Sequence, residues 1–194
     1  MIMKILILIA VVAVVAVLLN AGCAAVRAGY ESAPYQVVRT DGKFELRDYP
    51  VLVVVEAPMH SANDSFMRLF RYIGGNNSAA EKISMTTPVF MAGETTNATM
   101  AFVLPKKMSL DRAPAPVGAD LRLREIVSGR FAVLRFNGGQ KAVNEDKALA
   151  KLETWLAEQK LKTTGGPVFG CFDPPWTPSF LRRNEVMLRL ATAP

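Results

Sequence analysis

Lys82-Ile83-Ser84-Met85-Thr86-Thr87-Pro88-Val89-Phe90 decides the fold, because its last three residues return as Pro167-Val168-Phe169. Each Pro-Val-Phe follows a stretch of helical periodicity. Before the first, Phe66, Leu69, Phe70 and Ile73 recur at helical spacing, which predicts a helix over 61–73 with one apolar face. Ser61 is placed to cap it, with Asp64 three residues on, and Gly74-Gly75-Asn76-Asn77 ends it. Before the second, Ala148, Leu149, Leu152, Trp155 and Leu156 predict a helix over 144–159. Working outward, segments 35–39, 44–49 and 51–56 read as strands ahead of the first helix, with Asp41-Gly42 as a turn. Segments 83–91 and 99–104 read as strands after it. The second half repeats the order: strands at 121–127 and 130–136, the helix, then strands at 168–172 and 184–190. The Pro-rich segment 113–118 links the halves. The reading is an α+β chain built from duplicated β-α-β-β units, whose two amphipathic helices lie on an antiparallel sheet.

The chain has 194 residues and a formal net charge of +6. Residues 5–19 are apolar without a break, after Lys4 and before Asn20-Ala21-Gly22-Cys23. This predicts a leader over 1–28: a lipoprotein signal with Cys23 as the lipidated residue, an uncleaved membrane anchor, or a plain secretory signal. Residues 5–19 alone are short of the roughly 20 needed to span a bilayer, whereas continuing to Val26 reaches that length. In each case the domain from 29 to 194 is expected outside the cytoplasm, in the cell envelope and facing the periplasm, with residues 29–34 as a tether. The basic residues form no stripe interleaved with aromatics, so nucleic acid is not an expected partner. Cys171, between Gly170 and Phe172, reads as a small buried residue.

Three ordered motifs carry a family resemblance: Phe44-Glu45-Leu46-Arg47-Asp48-Tyr49-Pro50, the 82–90 run, and Met100-Ala101-Phe102-Val103-Leu104-Pro105. The chain resembles the SOUL/haem-binding-protein family over about 30–190. The resemblance implies a pseudo-twofold, distorted, antiparallel barrel-like sheet with two long helices, and non-covalent binding of haem or another tetrapyrrole. In members with an axial histidine, that residue falls between the Arg and the Tyr of the first motif. Here the position is Asp48, a poor ligand for haem iron. Binding without a protein ligand, by apolar contact with the first helix plus basic residues, remains open. Applied to this chain, the resemblance implies Met67 and Phe70 as apolar contacts and Arg68 and Arg71 as partners for propionates, since arginine pairs bidentately with carboxylates.

His60 is the only histidine. It stands before the helix cap and reads either as an exposed residue or as an iron ligand at the mouth of a groove along the helix. A single histidine excludes a multi-histidine zinc site and most imidazole-based triads. No phosphate-binding loop and no convincing carboxylate pair is present, and C-x-x-C-H is absent. Met85 reads as core packing. Tyr49 reads as packing at a strand end. Trp176 reads as a loop residue folded back on the sheet or covering a ligand. The expectation is a binding protein that buffers, carries or senses a tetrapyrrole and is not an enzyme. The alternative is an envelope module for another small amphiphile, or a structural lipoprotein.

Overall fold

The computed structural model describes residues 3–7, 9, 11, 29–93, 97–118, 120–139, 141–174 and 176–191. Cys23 and most of the leader over 1–28 lie outside the described residues; residues 3–7, 9 and 11 are helical. Among the described residues no helix is long and apolar enough to cross a membrane.

The domain runs β1 (Glu31–Ser32), β2 (Gln36–Asp41), β3 (Phe44–Tyr49), β4 (Leu52–Pro58), α1 (Ala62–Ile73), β5 (Thr86–Thr87), β6 (Val89–Ala92) and β7 (Thr99–Val103). The second half follows as β8 (Arg122–Ile126), β9 (Gly129–Asn137), α2 (Ala142–Glu158), β10 (Thr163–Cys171), a short 3-10 turn (Ser179–Leu181) and β11 (Arg183–Leu190). All of these elements and the apolar clusters they form lie between Glu31 and Leu190, so the segment from residue 29 carries its own core.

Among the described residues nine strands form one antiparallel sheet in the order β2-β3-β9-β11-β10-β6-β7-β4-β8. The duplication is visible in that order. If β3, β4, α1, β6 and β7 are matched with β8, β9, α2, β10 and β11, the sheet without β2 reads the same from either end. The pseudo-twofold axis passes between β6 and β10. There the two Pro-Val-Phe segments meet, with Phe90 opposite Gly170 and Val89 opposite Cys171. A side chain at Gly170 would press on Pro88, whose Cβ lies 3.3 Å from the position a Cβ would take. β2 and β8 stand at the edges, so the sheet is barrel-like but open.

Alternation of side chains gives the sheet two different faces. The outer face carries both helices. α1 covers Val55, Ala57, Met100 and Phe102 on one half. α2 covers Leu46, Ala132, Leu134, Val186 and Leu188 on the other. The inner face carries no helix and is lined by Tyr49, Leu52, Val54, Phe90, Ala101, Phe131, Val133 and Met187.

α1 begins where expected, with the Ser61 hydroxyl accepting from the Asp64 amide at 3.2 Å, and Gly74 caps its end. Its buried stripe is Ser65, Leu69, Tyr72 and Ile73. This corrects the sequence reading, which put Phe70 on the buried face. The stripe is rotated because the Tyr72 hydroxyl finds the Pro114 carbonyl at 2.8 Å, which makes burial of a tyrosine affordable. α2 buries Ala148, Leu152, Trp155 and Leu156 at the same spacing. Leu69 and Leu152 are fully buried, each contributing about 1.5–3 kcal/mol of transfer free energy. The strand expected over 83–91 is instead irregular up to Met85. Thr86-Thr87 then pair in parallel with β1, and β6 starts after a cis Thr87-Pro88 peptide bond.

Candidate functional site

The three motifs turn out to serve the fold. Phe44 stacks on Trp155 of α2, centroids 5.0 Å apart and nearly coplanar. Leu46 packs beneath α2. Arg47 points to the inner face, where it is 1% exposed. Its guanidinium donates to both oxygens of Glu185 at 2.6 and 3.1 Å, to Glu45 at 2.7 Å and to the Tyr49 hydroxyl at 3.2 Å. It also lies 4.2 Å from the centre of the Tyr35 ring. Arg183 reaches Glu185 from the other side, at 2.6 Å. Burial works against the charge on Glu185, but the hydrogen bonds and charges of Arg47 and Arg183 prevail and hold its carboxyl below the usual range. Burial pushes the Tyr49 hydroxyl up to about 12, despite the opposing Arg47. In the second motif the Thr86 hydroxyl donates to the Val103 carbonyl at 2.6 Å, and Thr87 meets Ser32 at 3.1 Å. Met85 is half-buried against the α1 cluster, in keeping with core packing. The third motif forms β7, with Met100 and Phe102 facing α1 and Ala101 and Val103 facing inward.

The candidate ligand residues of α1 divide into two groups. Met67 and Phe70 are 42% and 47% exposed. Phe70 stacks on Phe66, centroids 6.0 Å apart, and Phe66 meets the Phe102 ring edge-on at 5.2 Å. An aromatic ledge thus runs from the core to the helix surface. Half-buried Met59, Met85, Met91 and Met108 surround the same cluster. Unbranched thioethers adapt to irregular apolar partners. Arg71 is exposed, and its Nε donates to the Met67 carbonyl at 3.3 Å. No carboxylate pairs with it among the described residues. Arg68 is in a different position. Its guanidinium lies 3.1 Å from Asp64 and 3.6 Å from Asp120, and donates to the Pro58 carbonyl at 2.9 Å. The two arginines therefore do not act as an equivalent pair: Arg71 is open and Arg68 is held.

His60 is exposed at the bend before the cap of α1. Asp48, at the axial position of the first motif, accepts two hydrogen bonds from Arg130 across the β3–β9 ladder, at 2.7 and 2.8 Å. Those bonds hold its carboxyl below the usual range. β3 packs under α2, on the half of the sheet away from α1. Cys171 is buried on β10. Trp176 is 77% exposed and is not folded onto the sheet. Among the described residues no three His, Cys, Asp or Glu side chains are grouped to hold a metal ion.

A cleft of about 230 Å³ opens on the inner face, a feature with no signal in the sequence. Tyr49, Leu52, Phe90, Phe131, Val168 and Met187 line its apolar part, and Glu56, Arg124 and Arg189 its polar part. Pockets that enclose drug-sized ligands run to roughly 300–1,000 Å³, so this cleft is too small to enclose a tetrapyrrole. The α1 surface fits such a group better. It offers flat aromatic and thioether contact with no need for enclosure, beside an arginine without a carboxylate partner among the described residues.

The comparisons agree with the motifs and the fold. Heme-binding protein 1 of Xenopus tropicalis is 27% identical over 133 residues, 65% of this chain and 69% of that protein. Among solved structures, the EcmrR C-terminal domain superposes with a TM-score of 0.54 at 14% identity, over 82% of this chain and 99% of that one. A Listeria innocua hydrolase superposes with a TM-score of 0.58 at 8% identity, over 79% and 94%. At such identities these structures speak to the fold alone. The SOUL heme-binding protein pattern matches residues 30–189, and the chain belongs to that family.

Proposed function

We propose that the domain binds haem or a related tetrapyrrole non-covalently against the outer surface of α1, and buffers, carries or senses it in the cell envelope without transforming it. The observation that carries this reading is the exposed pair Met67 and Phe70, continuous through Phe66 with the core. Apolar contact with these three residues supplies the affinity. Arg71 meets a propionate. Arg68 steadies the start of α1 through Asp64 and Asp120 and contributes less to the ligand. The tetrapyrrole would bring its own absorption and, with iron, its redox couple. His60 remains the candidate iron ligand at the helix start, and binding without a protein ligand is the simpler mode. The leader over 1–28, with Cys23 as the lipidation site, would tether the domain to a membrane facing the periplasm.

Haemin titration of residues 29–194, followed at the Soret band, tests the reading. Phe70→Ser should weaken binding about tenfold, the sum of a lost ring contact and lost apolar burial. Arg71→Glu should weaken it several-fold, the scale of an exposed ion pair. His60→Ala should leave the spectrum unaltered if binding is ligand-free, and a changed spectrum would make His60 the iron ligand. Unchanged affinity in Phe70→Ser would remove α1 from the account. For the tether, Cys23→Ser should abolish lipidation; an unchanged membrane fraction would exclude the lipoprotein form.

A second reading, an envelope module for another small amphiphile or a structural lipoprotein, draws on Asp48. The residue at that position is a carboxylate engaged by Arg130 through both oxygens, a poor ligand for haem iron.

A further inference from the structure

We propose that the inner cleft is a separate binding site for a small apolar monocarboxylate, held by Arg189. Arg189, half-buried at the end of β11, donates to the carbonyls of Ser128 at 3.0 Å and of Val127. Its guanidinium lies 5.0 Å from the centre of the Phe131 ring. No carboxylate pairs with it among the described residues. The two backbone bonds fix its position, and a guanidinium has five N–H donors, so donors remain for an incoming group. Arg189 packs over Gly129, where any Cβ would run into the guanidinium.

The described remainder of the cleft does not neutralise this charge. Among the described residues Glu56 is the carboxylate in the lining, and it is 1% exposed. Arg122 donates to it at 2.8 Å and Arg124 at 2.7 Å, from the neighbouring strand β8. Burial opposes the charge on Glu56, and the hydrogen bonds of Arg124 and Arg122 overcome it. One carboxylate thus faces two arginines before Arg189 is counted, and the polar side of the cleft is positive. Between apolar walls such a field acts with less screening than in water.

Size and access complete the assignment. A cleft of about 230 Å³ suits a ligand smaller than a drug-sized molecule. Its floor of Leu52, Phe90, Ala101 and Met187 takes an aliphatic or aromatic body. At its mouth the pairing of β10 with β11 skips between Thr164 and Val168, and exposed Gly165 and Gly166 lie in the skip. A Cβ on either glycine would meet no atom within 4 Å. Glycine in a strand at such a place permits close approach of a ligand. The site lies on the sheet face opposite α1 and is independent of the tetrapyrrole reading.

Calorimetric titration of residues 29–194 with octanoate tests the proposal, with octanol and octyltrimethylammonium as neutral and cationic counterparts. Octanoate should bind saturably with one site, and the other two should bind at least tenfold more weakly. Gly166→Leu, a bulky side chain at a lining glycine where a Cβ would meet no atom within 4 Å, should abolish octanoate binding at an unchanged thermal midpoint. Arg189→Met should weaken it at least tenfold. Phe70→Ser should leave it unchanged, so failure of the α1 reading and failure of this one are told apart. The proposal is overturned if octanoate does not bind, if the alcohol or the cation binds as well, or if affinity survives Gly166→Leu.

Discussion

Replacing Arg47 by methionine removes the hub of the buried charge cluster while keeping most of its volume. Glu185, 1% exposed, would lose hydrogen bonds of 2.6 and 3.1 Å and keep Arg183 at 2.6 Å, with Arg135 at 3.6 Å. Removing one partner of a buried ion pair costs about 3–5 kcal/mol. The surviving Arg183 contact places the expected loss near the lower end, about 3 kcal/mol, or about 6–12 °C in Tm for a domain of this size. The assay is urea unfolding followed by circular dichroism, repeated as a function of pH. In the wild type the Glu185 carboxyl sits below its ordinary 4.5, so its contribution is present above that value and is lost as pH falls through the folded-state value. In Arg47→Met burial prevails and the carboxyl moves up. The gap between variant and wild type should therefore be full near pH 7 and narrow below 4.5. A gap under about 1 kcal/mol, or one that does not change with pH, would refute the claim that Arg47 holds the buried charge on Glu185.

Three further outcomes are expected. Thr86→Val removes a buried hydroxyl bonded to the Val103 carbonyl at 2.6 Å and should cost about 1–3 kcal/mol in urea unfolding, because the carbonyl is left without that donor. Burial pushes Tyr49 and Tyr72 up to about 12. Both raised values mean that stability present below the ordinary value of 10.0 is lost as pH rises toward 12, and tyrosinate absorption should show two of the four tyrosines ionising late. Asp48→His places a histidine between the Arg and the Tyr of the first motif, on the half of the sheet under α2. With haemin bound at α1, the spectrum should not change. A low-spin, histidine-ligated signature in this variant would move the ligand from α1 to β3.

The fold was legible because it is periodic and duplicated. Leu69 and Ile73 recur as Ala148 and Leu152 at the same spacing that relates Pro88 to Pro167. The site was legible only in part. Hydrophobicity ranks Phe70 above Tyr72, yet Tyr72 is buried, because its hydroxyl meets a carbonyl 42 residues away. Arg68 and Arg71 are alike in sequence. Asp120, on a loop remote in the chain, helps to hold one and leaves the other open. Arg47 and Glu185, 138 residues apart, carry no local sign of their pairing. The cleft is invisible for the same reason, since Arg124 and Arg189 come to it from opposite ends of the second half.

The most direct test of the central claim is a haemin titration of residues 29–194 beside the double variant Met67→Ser/Phe70→Ser, read at the Soret band. A saturable one-to-one shift in the wild type, weakened at least tenfold in a variant of unchanged stability, is the predicted result. A wild type that shows no saturable shift, or a double variant that binds haemin as tightly as the wild type, would contradict it.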